Sequence, residues 1–150
     1  MTSLEDGLLL AIALGDTLHA PRRVFMTKTF GRWLRKTTLA EQDLCEAVAQ
    51  IAAGLVDAKL GGCVFKKRIA ASGRGKRGSA RVLIGTNLGG RWFFLYGFEK
   101  NERSNVDARE LGALQKLAGV LLKLDASRLS IELECGNLQE ICHETQSHTQ

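Results

Sequence analysis

A chain of 150 residues in which 45% are hydrophobic is the size of one domain with an ordinary core. It contains one proline and shows no internal repeat, which excludes a proline-rich linker or a low-complexity chain. The net charge of +5 is unevenly distributed, because nine Lys or Arg and no Asp or Glu lie between Asp57 and Glu99. Like charges packed so densely repel one another, so we expect this segment to bind a polyanion such as a phosphodiester backbone.

The apolar run Leu8–Leu14 near the start of the chain is too short to cross a bilayer. It follows Glu5 and Asp6 instead of a basic region, so it predicts neither a membrane anchor nor a signal peptide. We therefore expect a cytoplasmic protein with no membrane partner.

The same region predicts one short helix, with a capping box at Ser3 and Asp6 and a stop at Gly15. Met26 begins a stretch that would stand alone. We therefore predict an N-terminal appendage, or an upstream-start artefact, over residues 1–25, a main domain over 26–145 and a frayed tail over 146–150.

The main domain begins with a short predicted strand over residues 24–29, followed by Phe30, Trp33 and Leu34 at helical spacing. A capping-box pattern beginning at Thr38 then predicts an amphipathic helix to about Gly54. We interpret the acidic and amide residues of its polar face as solvated and non-catalytic; these are Glu41, Asp43, Glu46 and Gln50.

A basic strand follows from Val64 to about Ala70, and its side chains alternate between two faces. Lys66 and Arg68 share one face, while Lys67 points to the other. The alternative is that this basic strand face is solvated and binds no ligand. The density of cations without carboxylates argues against that interpretation.

The glycine-rich loop after this strand matches the dinucleotide-binding fingerprint at Gly73, Gly75 and Gly78. That fingerprint requires a helix directly after the loop, because the pyrophosphate lies at a helix N-terminus. The run that follows, residues 81–88, has the composition of a strand, so a dinucleotide site is rejected.

A two-residue hairpin turn is predicted at Gly89 and Gly90, before an almost wholly apolar run over residues 91–98. An apolar run of this length predicts a central strand covered on both faces. Its aromatic residues are better explained as core than as a base-stacking platform, with Trp92 and Tyr96 as the exceptions.

Two further helices are predicted, one from residues 104–107 to about Lys123 and one capped by Asp125 that ends near Gly136. The order of elements predicts an α+β fold, a small antiparallel meander sheet with helices packed on it.

The four cysteines form no C-x-x-C pair and predict reduced, mostly buried thiols. A metal site built from Cys135, Cys142, His143 and His148 does not fit the usual zinc spacing. No metal or other cofactor is therefore expected.

Three ordered motifs resemble the RelE/ParE superfamily of bacterial type II toxins, most closely its RelE-like branch resembling HigB. They are residues 66–70, residues 75–78 with Arg81, and residues 93–103. The resemblance runs from about Met26 to about Ile141. It implies a RelE/ParE-like fold and a toxin that cleaves mRNA on the translating ribosome and is held inactive by a cognate antitoxin, one expected to contain a helix-turn-helix.

The resemblance assigns catalytic roles to Lys66, Arg68, Arg81 and Lys100. Lys67, Arg74, Lys76, Arg77, Asn101 and Arg103 are the predicted nucleic-acid-binding residues. Two positions depart from the best-studied members, since Asp107 stands about where they place a tyrosine and Asn101 where they place an arginine. Ser79 also occupies a loop position where this branch often has glycine.

The chemistry of the basic segment agrees with ribonuclease activity. RNA carries its own nucleophile, so the enzyme must deprotonate a 2′-hydroxyl, neutralise the pentavalent phosphate and protonate the leaving oxygen. His19, His143 and His148 lie outside the segment, which leaves lysine and arginine for these steps. Two alternatives stay open, a non-catalytic nucleic-acid-binding protein and a ParE-like gyrase inhibitor.

Overall fold

A computed structural model describes residues 22–70 and 79–143, which form one mixed sheet with helices on both faces. The strands are β1 Arg23–Thr27, β2 Ala58–Gly61, β3 Val64–Ile69, β4 Ala80–Thr86, β5 Arg91–Glu99 and β6 Leu138–Ile141. The helices are α1 Lys28–Leu34, α2 Glu41–Ala52, α3 Ala108–Leu122 and α4 Ala126–Glu134. The α+β fold class is thus confirmed.

The strand order is β2-β3-β4-β5-β1-β6, so only the first four positions form a meander. β1 lies between β5 and β6, parallel to β5 and antiparallel to β6. The sheet is therefore mostly antiparallel and not the simple meander that was expected, because the N-terminal strand is inserted beside the last strand of the meander.

β1 begins before Met26. Val24 and Phe25 are buried, and the Phe25 ring stacks on Phe93 with 5.1 Å between the ring centroids. A domain boundary placed after residue 25 would thus cut β1. The Thr27 side chain accepts a hydrogen bond from the Phe30 amide and caps α1, which confirms the predicted strand followed by a helix.

The core has two halves, one on each face of the sheet. α1 and α2 cover one face, here called the α1/α2 face, where Phe30, Leu44 and Phe94 are fully buried. α3 and α4 cover the other, here called the α3/α4 face, with Leu83, Phe93 and Leu129 at its centre. β5 contributes to both halves, which confirms that it is a central strand.

α2 begins differently from the prediction. Ala40, not Thr38, is the N-cap residue, and the Asp43 carboxylate accepts a hydrogen bond from the Ala40 amide at 2.8 Å. Asp43 is buried, so its interpretation as a solvated residue was wrong. The Thr37 hydroxyl instead accepts from the Leu39 amide and shapes the turn before the helix.

α3 and α4 follow the predicted signals closely. Asp107 caps α3 through a reciprocal capping box with Glu110, and the Asp125 side chain accepts from the Arg128 amide at the start of α4. Gly136 lies just beyond α4 with a φ of 81°, a left-handed conformation that glycine adopts at little cost.

The β4–β5 connection is a four-residue loop over 87–90 and not the predicted two-residue glycine turn. Leu88 has a φ of 67°, and the Asn87 side chain accepts a hydrogen bond from the Gly89 amide. The turn therefore depends on Asn87 as much as on its two glycines.

The cysteine prediction was wrong about the reduced state of Cys45 and Cys142 and about the burial of Cys63 and Cys135, and it was confirmed for the reduced state of Cys63 and Cys135. Cys45 on α2 and Cys142 after β6 form a disulfide, while Cys63 and Cys135 are free and exposed. The predicted helix over residues 3–15, the loop from Gly73 to Gly78 and the predicted tail lie outside the described residues. No helix within 22–70 and 79–143 is long and apolar enough to span a membrane.

Candidate nucleic-acid interface

Lys66, Arg68 and Arg81 lie on the α3/α4 face of the sheet, and together we call them the basic face. In the antiparallel register of β3 and β4, Arg68 is directly opposite Arg81 and Lys66 is opposite Leu83. Directly opposed residues on one sheet face have Cβ atoms about 4.5–5.5 Å apart. Strand pairing thus brings together cations that are far apart in the sequence.

None of the three cations forms an ion pair within the described part of the chain, where the ion pairs are Arg23 with Glu140 and Arg103 with Glu110. Arg68 is exposed, and Lys66 and Arg81 are half-buried. Arg81 donates one long hydrogen bond, 3.5 Å, to the Ser79 hydroxyl. The three cations of the basic face are therefore available to bind an anionic ligand.

Lys67 does not belong to this cluster. It points to the α1/α2 face and is 9% exposed, as the alternation of β3 requires. The two faces expected from the sequence are confirmed, but a lysine buried on the opposite face is poorly placed to bind the same polyanion as Lys66 and Arg68.

Arg74, Lys76 and Arg77 lie in the loop over residues 71–78, outside the described residues. Residues 71–78 connect β3 to β4 in the sequence, and the last pair between these two strands is Ile69–Ala80. These three predicted residues are thus attached to the end of the sheet where Arg68 and Arg81 stand.

Lys100 and Asn101 follow β5 at the same end of the sheet, and both are exposed. The Lys100 amide donates to the Ser79 carbonyl at 3.3 Å, which ties the residue to the start of β4. Lys100 is therefore placed near Arg81 by the backbone, while its side chain remains available.

Arg103 is predicted to bind nucleic acid, yet most of its donors are occupied. It makes a two-pronged ion pair with Glu110 at 2.6 and 2.9 Å, and it also donates to the Asn105 carbonyl and the Tyr96 hydroxyl. Its guanidinium lies over the Phe98 ring, 5.8 Å from the centroid. The hydrogen bonds and charge of Arg103 hold the pKa of Glu110 below its usual value. Arg103 thus positions neighbouring groups.

Tyr96 lies on the α3/α4 face of the sheet, as the basic face does. It lies opposite Leu83, is half-buried, and keeps its hydroxyl 3.2 Å from Arg103. A bulge between Leu83 and Ile84 puts Leu95 and Tyr96 on the same face, which strict alternation would not. Trp92, the other aromatic exception, is a core residue whose indole N–H donates to the Gly89 carbonyl.

Asp107, which stands where the resemblance expects a tyrosine, is committed to α3. Its carboxylate accepts from the Glu110 amide at 2.8 Å, while its own amide donates to the Glu110 carboxylate at 2.9 Å. Its role in this chain is therefore that of a helix cap.

Glu99 and Glu102 lie together at the end of β5, where the Glu99 amide donates to the Glu102 carboxylate at 3.3 Å. Burial, and the neighbouring negative charge of Glu102, raise the pKa of Glu99. Sequence reasoning did not identify these acids as part of the site, because only the fold places Glu102 in the same pocket as Trp33 of α1.

In the described ranges, 22–70 and 79–143, no group of three or more His, Cys, Asp or Glu could hold a metal ion. Two cysteines of the metal site considered from the sequence also differ in chemical state, because Cys142 is bonded to Cys45 while Cys135 is a free thiol. What the interface offers instead is a row of cations beside half-buried aromatic rings.

The chain matches the family model described as the RelE toxin of the RelE / RelB toxin-antitoxin system over residues 22–141. That range begins one residue before β1 and ends with the last residue of β6. A search of curated protein sequences gave no match. Because the match covers most of its length and the whole described sheet, the chain belongs to the RelE toxin family.

Proposed function

We propose that this RelE-family toxin is an endoribonuclease that cleaves mRNA on the ribosome through attack by a 2′-hydroxyl. The observation that carries the proposal is the basic face, on which Lys66, Arg68 and Arg81 have no carboxylate partner among the described residues. A surface of this kind is poorly suited to a neutral ligand and well suited to a phosphodiester.

The protein must assist the reaction in three ways. The 2′-hydroxyl must lose its proton as its oxygen attacks the adjacent phosphorus, the pentavalent phosphate must be stabilised, and the leaving 5′-oxygen must gain a proton. The products are a 2′,3′-cyclic phosphate and a 5′-hydroxyl. Positioned cations stabilise the extra negative charge of the transition state, so this path can run without a metal ion.

The geometry suggests how these roles are divided. Arg68 and Arg81 stand directly opposite each other, so the phosphate lies between them. Lys66 is two residues before Arg68 on the same face and, in its neutral amine form, accepts the 2′-hydroxyl proton and becomes an ammonium. Lys100, held beside the start of β4 by its backbone, donates to the leaving oxygen. Arg74, Lys76, Arg77 and Asn101 extend the contact along the RNA.

Membership of the family implies a cognate antitoxin. We expect it to contain a helix-turn-helix and to cover the basic face with an acidic or amphipathic segment, because complementary charge neutralises the face while the toxin is idle. Both proteins act in the cytoplasm, where mRNA is translated. Their affinity should fall as salt rises.

The test is cleavage of a defined mRNA in a translating extract, mapped by primer extension, with purified ribosomes added or withheld. The wild-type toxin is compared with Lys66→Ala and with Arg128→Ala. Arg128 is an exposed cation on α4, which packs against β6 at the edge of the sheet farther from β3, so this variant controls for a change of net charge. We expect cleavage by the wild type and by Arg128→Ala, and strongly reduced cleavage by Lys66→Ala.

Cleavage that appears only when ribosomes are present supports action on the translating ribosome. Intact RNA in every reaction, together with undiminished RNA binding, would instead show a non-cleaving nucleic-acid-binding protein. Equal cleavage by Lys66→Ala and the wild type would remove Lys66 from the mechanism.

A further inference from the structure

The free edge of β5 borders a second feature, a pocket of about 180 Å³ between that edge and α1. β1 pairs with β5 only as far as Phe94, so the last residues of β5 have no strand partner on that side in the described part of the chain. Trp33, Tyr96, Gly97, Phe98, Glu102 and Arg103 are the lining residues that matter here.

Flat aromatic surface dominates this pocket. Trp33 and Tyr96 line the pocket and are half-buried, and Phe98 lines it as a buried residue. The absent side chain of Gly97 makes room for Trp33, since a Cβ there would lie 2.3 Å from the indole Cζ3 atom. Half-exposed rings of this kind stack on nucleobases, whatever the base, because every base has a π-face.

The polar groups of the pocket can read the edge of a base. The Tyr96 hydroxyl accepts from Arg103, and its own proton has no acceptor among the described residues. The Glu102 carboxylate accepts one long hydrogen bond through Oε1, which leaves Oε2 without a partner in that same set. Four of the five N–H groups of Arg103 are engaged, so one Nη2 proton is left.

The pocket is next to the basic face. Phe98 is directly opposite Arg81 across β4 and β5, and neighbouring strands lie about 4.8 Å apart. A phosphate at Arg68 and Arg81 is therefore separated from the pocket by roughly one strand, a distance that a single nucleotide spans. The Arg103–Glu110 ion pair fixes the far wall, because it anchors the loop after β5 to the start of α3.

We propose that this pocket binds one unstacked base of the RNA held at the basic face, with guanine as the preferred base. Guanine presents two neighbouring N–H donors on its Watson–Crick edge, which one carboxylate can accept, and O6 as an acceptor for Tyr96 or Arg103. The pocket would thus set sequence preference. The inference rests on the proposed ribonuclease function for its cleavage readout but not for its binding readout.

The experiment has two arms. In the first, single-stranded RNA hexamers that differ at one position (G, A, C or U in an otherwise uridine strand) are titrated into the full chain and followed by fluorescence anisotropy. In the second, cleavage positions on mRNA are mapped by primer extension. Both arms compare the wild type with Trp33→Leu, Trp33→Phe and Glu102→Gln, with Arg128→Ala as the control.

We expect the wild type to bind the G hexamer best, and Trp33→Leu to weaken that binding about tenfold. Trp33→Phe restores much of it, because phenylalanine keeps a stacking ring. Glu102→Gln removes the preference for G, since an amide cannot accept both N–H groups of guanine, and it shifts the bases found at cleavage sites. Melting temperatures of all four variants show that each is folded.

Failure of the two proposals can be distinguished. If the wild type cleaves RNA but neither arm shows a base preference, the pocket proposal is overturned while the ribonuclease stands. If nothing is cleaved but the G preference and its loss in Glu102→Gln are seen, the pocket stands and the ribonuclease fails. Unchanged RNA profiles in Trp33→Leu, with weaker rescue of growth by the co-expressed antitoxin, would assign the pocket to a protein side chain and overturn the proposal.

Discussion

Arg68 and Arg81 face each other directly across β3 and β4, two arginines in one cross-strand pair. Like charges in this position destabilise a sheet, and neither arginine forms an ion pair within residues 22–70 and 79–143. An anion placed between the two guanidinium groups would relieve the repulsion. The free protein thus carries an electrostatic cost at the place where a phosphate would bind.

Replacement of Arg81 by alanine should lower cleavage more than it lowers RNA binding, because the charge of the phosphate grows in the transition state. Loss of one such stabilising group costs on the order of 3 kcal/mol, or about a hundredfold in rate. Single-turnover cleavage and anisotropy on the same RNA measure the two effects, with Arg128→Ala as the matched control. Equal losses in rate and in affinity would mean that Arg81 only binds the substrate.

Reduction of the Cys45–Cys142 disulfide should destabilise the fold, since the bridge ties α2 to the end of β6 across 97 residues of sequence. Removal of a native disulfide that closes a long loop costs about 2–4 kcal/mol. Urea unfolding of the wild type and of Cys45→Ser, with and without reductant, measures this cost. The double variant with serine at the exposed Cys63 and Cys135 should unfold like the wild type. If all four thiols of the native protein react with a labelling reagent, the bridge is absent.

A chain that starts at Met26 should fail to fold, because it lacks Val24 and Phe25. Loss of a buried phenylalanine alone costs about 3–5 kcal/mol, and Phe25 also stacks on Phe93 in the centre of the sheet. A chain that starts at Arg22 retains all of β1 and should melt cooperatively. Circular dichroism melting of the two chains compares them directly, and a cooperative transition in the shorter one would show that β1 is dispensable.

Acid should weaken the link between β1 and β6. Arg23 donates two hydrogen bonds to the Glu140 carboxylate at 2.8 and 2.9 Å, and this contact lowers the pKa of Glu140 from 4.5. A depressed carboxyl pKa contributes stability above its unfolded value, and that stability is lost as the pH falls through the folded value. Because the pair is exposed, its contribution is about 0.5 kcal/mol.

Glu140→Gln should therefore melt slightly below the wild type at pH 7, and the difference should disappear as the pH is lowered well below 4.5. Thermal melting across that range provides the measurement. A constant difference at every pH would indicate that packing, and not charge, accounts for the effect of the substitution.

Much of the fold could be predicted because it is encoded locally. The alternation of β3, the apolar run of β5 and the caps at Asp107 and Asp125 are patterns within a few residues, and the structure contains all of them. The neighbours of β1 could not be predicted, because nothing in Arg23–Thr27 indicates that it pairs with β5 and β6. The short strands β2 and β6 were missed for the same reason, since four residues carry little periodicity.

The site divides in a similar way. Charge density indicated the basic segment as a whole, and the family resemblance selected Lys66, Arg68 and Arg81 within it. The alternation of β3 and its pairing with β4 place these three residues on one face of the sheet. The places of Trp33 and Glu102 depend on how α1 and the loop after β5 meet around Gly97, a contact between segments far apart in sequence. Lys67 shows that charge alone does not identify a binding residue, since its charge suggested a ligand contact and its position in the strand buries it.

The position of β1 also limits the order in which the strands of the sheet can pair while the chain is being synthesised. β1 leaves the ribosome before β5 and β6, its two neighbours in the sheet, have been synthesised, because Arg23 pairs with Arg91 and Val24 with Ile141. The meander β2-β3-β4-β5 can form from contacts between successive strands, whereas β1 must wait for pairings that close long loops. A nascent chain therefore has an unpaired apolar strand until β5 and β6 have emerged. The basic face needs only β3 and β4, so it can form before the rest of the sheet is closed.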